Sequence, residues 1–315
     1  MNTVLLEQLI QLFMIMGAGY VLFKLKYIDV PFTQKLTRLL LDVTLPLMIL
    51  ASVMKDEGEK DYGKVGTVFF FSFALYVFMT VLSIVTVKLL RFPAKQQGIY
   101  MFMCMFSNTG FMGYPVINAL FGSEAMIYAA IVNVFFNIFV FTIGIVMINY
   151  DGGSKKGTGS IASLIDLKHL LTPGTLCSLA AVLLYFLPVH YPTVLTGFCS
   201  TLGGLTSGLA MLVIGSTLAK IPVKSIFNDW HVYLFTAVRQ VAFAFILWPV
   251  MKLAVSDELI RAVMFILMIM PVGNTAVLLA GRYEKDEELA AKTVFVTTFV
   301  SIITIPLCLD ILKVI

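Results

Sequence analysis

Apolar runs of about 18–25 residues, separated by short stretches that hold nearly all the charge, most limit what this chain can become. A helix rises about 1.5 Å per residue, so a run of about 20 residues spans a hydrocarbon core of about 30 Å. The supply of charge excludes the soluble alternative. Only 13% of the 315 residues are charged and 59% are hydrophobic, against roughly 25% charged in ordinary soluble domains. A soluble bundle also needs polar outer faces, and runs such as Phe135–Ile148 have almost none. An all-α integral membrane protein follows.

The runs predict ten transmembrane helices: helix 1 Val4–Phe23, helix 2 Leu36–Met54, helix 3 Val65–Leu89, helix 4 Gln97–Phe121, helix 5 Glu124–Asn149, helix 6 Leu170–Leu187, helix 7 Thr193–Ala219, helix 8 His231–Leu253, helix 9 Glu258–Gly281 and helix 10 Leu289–Leu312. Helix 1 does not read as a cleaved signal peptide, because no Lys or Arg precedes it and Glu7, Gln8 and Gln11 interrupt it. Loops after odd-numbered helices hold 15 Lys and Arg residues, against 6 on the other side, with Arg239 inside helix 8. The positive-inside rule puts the richer side in the cytoplasm and both termini outside it, in a multi-pass protein of the cell membrane. The basic residues lie between apolar runs, so the net charge of +4 implies no nucleic-acid partner.

The longest polar stretch, Tyr150–His169, is rich in Gly and Lys and reads as a flexible cytoplasmic linker. No GKS or GKT closes it and no strand precedes it, so it is no phosphate-cradling loop. It divides the chain into 1–149 and 170–315, with 150–169 between them.

Those halves repeat. Ser107-Asn108-Thr109-Gly110 in helix 4 answers Gly273-Asn274-Thr275-Ala276 in helix 9, displaced by 166 residues. Leu45-Pro46-Leu47 through Ser52 answers Leu209–Ser216 at 164, and Lys88-Leu89 answers Lys252-Leu253 at 164. An odd number of helices per unit turns the second unit upside down, the inverted-repeat architecture of many secondary transporters.

Asn108 and Asn274 both fall near the midplane by helical rise. Ser107, Gly110, Gly113 and Pro115 surround the first, and Pro271 and Gly273 the second, so both helices are expected to break there. Pro46 marks a further expected irregularity in helix 2. Unwound backbone at that depth persists only where protein or a water-filled cavity satisfies it. Two half-helix N-termini would make an uncharged cage that prefers anions, with Asn amides donating to a carboxylate. The expected binding set is Ser107, Asn108, Thr109, Gly110, Pro271, Gly273, Asn274 and Thr275. The competing account has Asn and Gly only joining closely packed helices.

The segment Ser107-Asn108-Thr109-Gly110-Phe111-Met112-Gly113-Tyr114-Pro115, followed by Ala119-Leu120-Phe121-Gly122, resembles the fourth helix of the auxin efflux carrier family, which includes plant auxin transporters and bacterial carriers of malate or malonate. Met270-Pro271-Val272-Gly273-Asn274-Thr275-Ala276 through Arg282-Tyr283 resembles its ninth helix, and Thr44-Leu45-Pro46 its second. The resemblance implies a scaffold of helices 1, 2, 6 and 7, and a moving unit of helices 3–5 and 8–10 with helices 4 and 9 crossing at the site. It also implies a carboxylate contact at Asn108. The plant proteins have Pro just before that Asn, where this chain has Ser107.

Asp42 lies one turn after Arg38, which fits either an interfacial i,i+4 pair or a protonatable coupling group. Arg239 is within snorkelling reach of the cytoplasm, from where it could draw anions into an inner vestibule. H+ and Na+ both stay open as coupling ion, with no sodium site assignable. Cys104, Cys177, Cys199 and Cys308 sit in apolar spans without metal-ligand spacing and read as small hydrophobes. No cofactor or metal is expected. The expected partners are a small organic anion and membrane lipid, with a homodimer left open. An embedded enzyme would need a motif such as HExxH, which is absent. A passive channel or a sensor is the other alternative, and neither would show trans-stimulation by internal substrate.

Overall fold

The computed structural model describes residues 3–54, 61–150, 173–187, 191–220 and 229–314. Among them, regular structure is helical, and the one extended pairing is an isolated antiparallel bridge between Ser107 and Val272. Among the described residues six helices are long and apolar enough to cross a membrane: α2 (Val30–Met54), α3 (Tyr62–Leu89), α5 (Ser123–Ile148), α7 (Thr193–Leu218), α8 (Trp230–Ala254) and α10 (Glu287–Ile311). Between and before them lie α1 (Thr3–Lys24) and α6 (Pro173–Phe186). Two further helices are interrupted: α4a (Gln97–Met105) with α4b (Tyr114–Phe121), and α9a (Glu258–Ile269) with α9b (Thr275–Arg282). The expected linker beyond Tyr150, and the start of the sixth expected helix, lie outside the described residues.

The acids of the loops start helices. Asp29, Asp61, Asp229, Asp257 and Asp286 each accept a backbone N–H in the first turn of α2, α3, α8, α9a and α10. Each such cap contributes about 0.5–2 kcal/mol to its helix. The faces these helices present are those of a lipid-solvated protein. In α3, Ser72, Tyr76 and Ser83 are buried, while Phe69, Phe70, Phe73, Val77, Val81 and Val85 face outward. In water the order would be reversed.

In the packing, α1 lies on α7, α2 on both α6 and α7, and α6 on α5 as well as on α2. The α1–α7 seam is backbone against backbone: a side chain at Gly215 would strike the Met16 carbonyl, and one at Gly19 the Leu212 carbonyl. Ser216 Oγ donates across it to the Gly19 carbonyl at 3.3 Å. Elsewhere α3 packs on α4a and α5, α8 on α9a and α10, and α9b on α10 and α4a.

Several helices carry a π turn: Leu40–Thr44 in α2, Val140–Gly144 in α5, Val238–Ala242 in α8, and Thr109–Gly113 leading into α4b. Pro46 and Pro115 each follow one by two residues. A proline ring collides with the carbonyl four residues back, and widening the preceding turn relieves the collision. The π turn also bears on Asp42, for which the sequence leaves open both a pair with Arg38 and a protonatable coupling group. Arg38 and Asp42 are both exposed and form no ion pair with each other, because the helix enters the wider turn between them and the i,i+4 stacking is lost.

Candidate functional site

The α4a helix ends at Met105, and Phe106 is extended (φ −107°, ψ 105°). The α9a helix ends at Ile269, and Met270 is extended (φ −55°, ψ 151°). The second break follows from Pro271, which has no N–H to continue the helix and disfavours helical backbone in the residue before it. The two extended stretches cross antiparallel and satisfy each other. Asn108 N–H donates to the Pro271 carbonyl at 2.7 Å, and Gly273 N–H to the Phe106 carbonyl at 3.3 Å. Side chains take what remains: Ser107 Oγ donates to the Leu267 carbonyl at 2.7 Å, and Thr297 Oγ1 of α10 accepts from Val272 N–H at 3.2 Å. Ser107 thus closes a carbonyl at the end of α9a. At Gly273 a Cβ would stand 3.1 Å from the Ser107 carbonyl oxygen, a tight contact that glycine avoids.

Of the expected site residues, the crossing brings Ser107, Asn108, Pro271 and Gly273 into contact, and Thr109, Gly110, Asn274 and Thr275 follow directly on the two strands. Ser107, Asn108 and Thr109 are buried, whereas Gly110, Asn274 and Thr275 are half-buried, and a Cβ at Gly110 would meet open space. Asn108 caps the π turn: its Oδ1 accepts from Phe111 N–H at 3.2 Å. That bond assigns the carbonyl end of the amide inward, and Nδ2 has no hydrogen-bond partner among the described residues. Thr109 Oγ1 is buried without a partner. Asn274 is the N-cap of α9b but makes no capping bond, so the first N–H groups of that half-helix are uncapped by its side chain. Gly113 is a packing position, where a Cβ would stand 2.6 Å from Leu267 Cδ2. Pro115 is buried at the start of α4b, and Pro46 is buried in α2. The π turn and α4b pack on α7, and α4b also on α1.

Arg239 overturns its sequence expectation. It does not snorkel: it is 0% exposed, and its Nη2 donates to the Met268 carbonyl in the last turn of α9a at 2.8 Å. Depth along a helix gives axial reach only, and this side chain points into the protein instead of along the helix to the surface. Its neighbour Gln240, missed in the sequence, is also buried. It donates to the Thr297 carbonyl at 3.1 Å and accepts from Thr304 Oγ1 at 3.0 Å. The available signal was Thr293, Thr297, Ser301 and Thr304 at intervals of three and four in an apolar helix, a polar stripe turned inward.

Apolar helices of membrane-spanning length, with two broken helices crossing among them, are the setting for the comparison with known proteins. The chain belongs to the membrane transport protein family. The family's model matches residues 4–309, and it is the auxin efflux carrier family that the helix motifs resemble. The chain is 27% identical over 218 residues to a provisionally named malonate transporter of Rhizobium meliloti, covering 67% of this chain and 65% of that one. It is 26% identical over 219 residues to an uncharacterised transporter of Methanocaldococcus jannaschii, covering 68% of each. A third match, an uncharacterised transporter of Methanothermobacter thermautotrophicus, is 26% identical over 211 residues, 64% of this chain and 63% of that one. The chain thus spans about two thirds of the length of these relatives. It is a multi-pass membrane protein of a transporter family, and these relatives carry transporter names, not enzyme names.

Proposed function

We propose that this protein is a secondary transporter that moves a small organic carboxylate across the cell membrane by alternating access. The observation that carries the proposal is the crossing itself. Two interrupted helices meet in an apolar surround, satisfy each other's backbones, and leave an Asn amide and a Thr hydroxyl with spare donors beside the start of a half-helix. Donors without formal charge hold an anion at low desolvation cost in the membrane. The malonate name of one relative puts dicarboxylates among the anions to test.

The helix pairings support an inverted repeat of two five-helix units. Exchanging the units converts the α1–α7 contact into α6–α2, and the α3–α5 contact into α8–α10; all four occur. In this scheme α1, α2, α6 and α7 form the scaffold, the remaining helices move with the crossing like an elevator, and both termini lie outside the cytoplasm. A cysteine placed at Ser154 should then resist a membrane-impermeant reagent in intact cells and react after permeabilisation; labelling in intact cells reverses the topology.

The deciding experiment is counterflow in liposomes with labelled mono- and dicarboxylates under imposed pH or Na+ gradients. Uptake stimulated by internal substrate is expected. Flux that internal substrate does not stimulate marks a channel, and binding without flux a sensor. Asp42, exposed and unpaired with Arg38, is proposed to carry the coupling proton. Asp42→Asn should lose accumulation driven by a pH gradient and keep counterflow, and wild-type accumulation by the variant removes Asp42 from the coupling.

A further inference from the structure

Among the described residues Arg239 is the largest fully buried side chain, and no carboxylate pairs with it. Its Nε and Nη1 lack hydrogen-bond partners, and its guanidinium carbon lies 5.3 Å from the centre of the Phe243 ring. The Tyr76 hydroxyl, also buried without a partner, and Cys104 are within electrostatic reach. A cation kept in an apolar interior at such cost is a functional candidate by default.

Where it sits gives the function. The last carbonyls of α9a are unsatisfied within the helix and form its negative end. In transporters with broken helices, such C-terminal ends coordinate the coupling cation. Here two of those carbonyls are taken by side chains: Leu267 by Ser107 Oγ, and Met268 by Arg239 Nη2. The π turn Val238–Ala242 carries Arg239 to this position, and Gln240 in the same turn is tied to α10. The guanidinium contacts the Met268 carbonyl at the end of α9a and the Phe243 ring of its own helix, whereas α1 and α7 pack on α4b.

We propose that the Arg239 guanidinium is a resident cation that fills the place of a coupling Na+ at the end of α9a, and that it gives the moving unit a fixed positive charge opposite the substrate carboxylate. The second half rests on the carboxylate transport proposed above; the first half does not.

Melting of the purified protein in detergent tests the first half, with Na+ exchanged for choline at constant ionic strength. Wild type should be indifferent to the exchange. Arg239→Ala should melt lower and recover in part with millimolar guanidinium, which re-enters the vacated cation position. A wild-type melting point raised by Na+ overturns the proposal, as does a folded Arg239→Ala that guanidinium does not stabilise. If Arg239→Ala does not fold, the wild-type exchange still decides.

Counterflow tests the second half. Arg239→Lys, which keeps the charge, should retain close to wild-type affinity. Arg239→Gln should weaken carboxylate affinity about tenfold or more and change the voltage dependence of exchange. An Arg239→Gln variant with unchanged affinity and voltage dependence leaves Arg239 a packing group only. If wild type exchanges no carboxylate, the transport proposal falls with the counter-charge, while the melting results still decide whether Arg239 is the resident cation.

Discussion

The two helix breaks begin from the same Asn-Thr pair and are built differently. At Asn108 the backbone leaves the helical region (φ −79°, ψ 66°), and the side chain folds back to cap a π turn. At Asn274 the backbone is already helical (φ −57°, ψ −19°), and the side chain caps nothing. The first amide is fixed by its bond to Phe111 N–H and buried, so its Nδ2 is a donor in one set direction. The second is half-buried and uncommitted. Sequence symmetry therefore does not mean equal roles: one break supplies a preorganised donor, and the other an adaptable one beside an uncapped half-helix.

The sharpest way to break this comparison is Asn108→Asp. The carboxylate still accepts from Phe111 N–H, so the cap and the melting temperature should persist. The donor becomes an anion facing an anion, and carboxylate binding should be lost. Binding that survives in Asn108→Asp would remove Asn108 from the site. Asn108→Ala should be milder for the anion. Loss of a hydrogen bond to a charged group costs about 1.5–3 kcal/mol, or roughly ten- to a hundredfold in affinity. It should also lower stability by about 0.5–2 kcal/mol through the lost cap, which denaturation in detergent would measure. The smallest effect is expected from Asn274→Ala: weaker binding than wild type, by less than Asn108→Ala, with no loss of stability. An Asn274→Ala protein that binds worse than Asn108→Ala would exchange the two roles.

Much of this was legible in the chain. Apolar run length marked the helices, and Pro271 and Gly273 marked where the second break falls, because a missing N–H and a missing Cβ act locally. The crossing was implied by the family resemblance, and its contacts join Ser107, Asn108, Pro271 and Gly273. The π turns were not legible. One extra residue in a turn leaves no compositional trace, although Pro46 and Pro115 each stand just after one. That is why Arg38 and Asp42, four positions apart, do not pair. The burial of Arg239 was hidden for a related reason: distance from a helix end says how deep a residue lies, and the direction of its side chain depends on neighbours far away in sequence. Gln240 was overlooked because its partners, Thr297 and Thr304, are about sixty positions distant.

The seam between α1 and α7 has a practical consequence. With the Gly215 backbone set against the Met16 carbonyl, and Gly19 against Leu212, no side-chain layer lies between the helices on which they could slide. One helix can move along the other only by first separating from it. Spectroscopic probes placed on the outer faces of α1 and α7 should therefore report one constant separation at every stage of turnover. That pair is a ruler internal to the molecule, against which the travel of a third probe on α4b can be measured in ångströms.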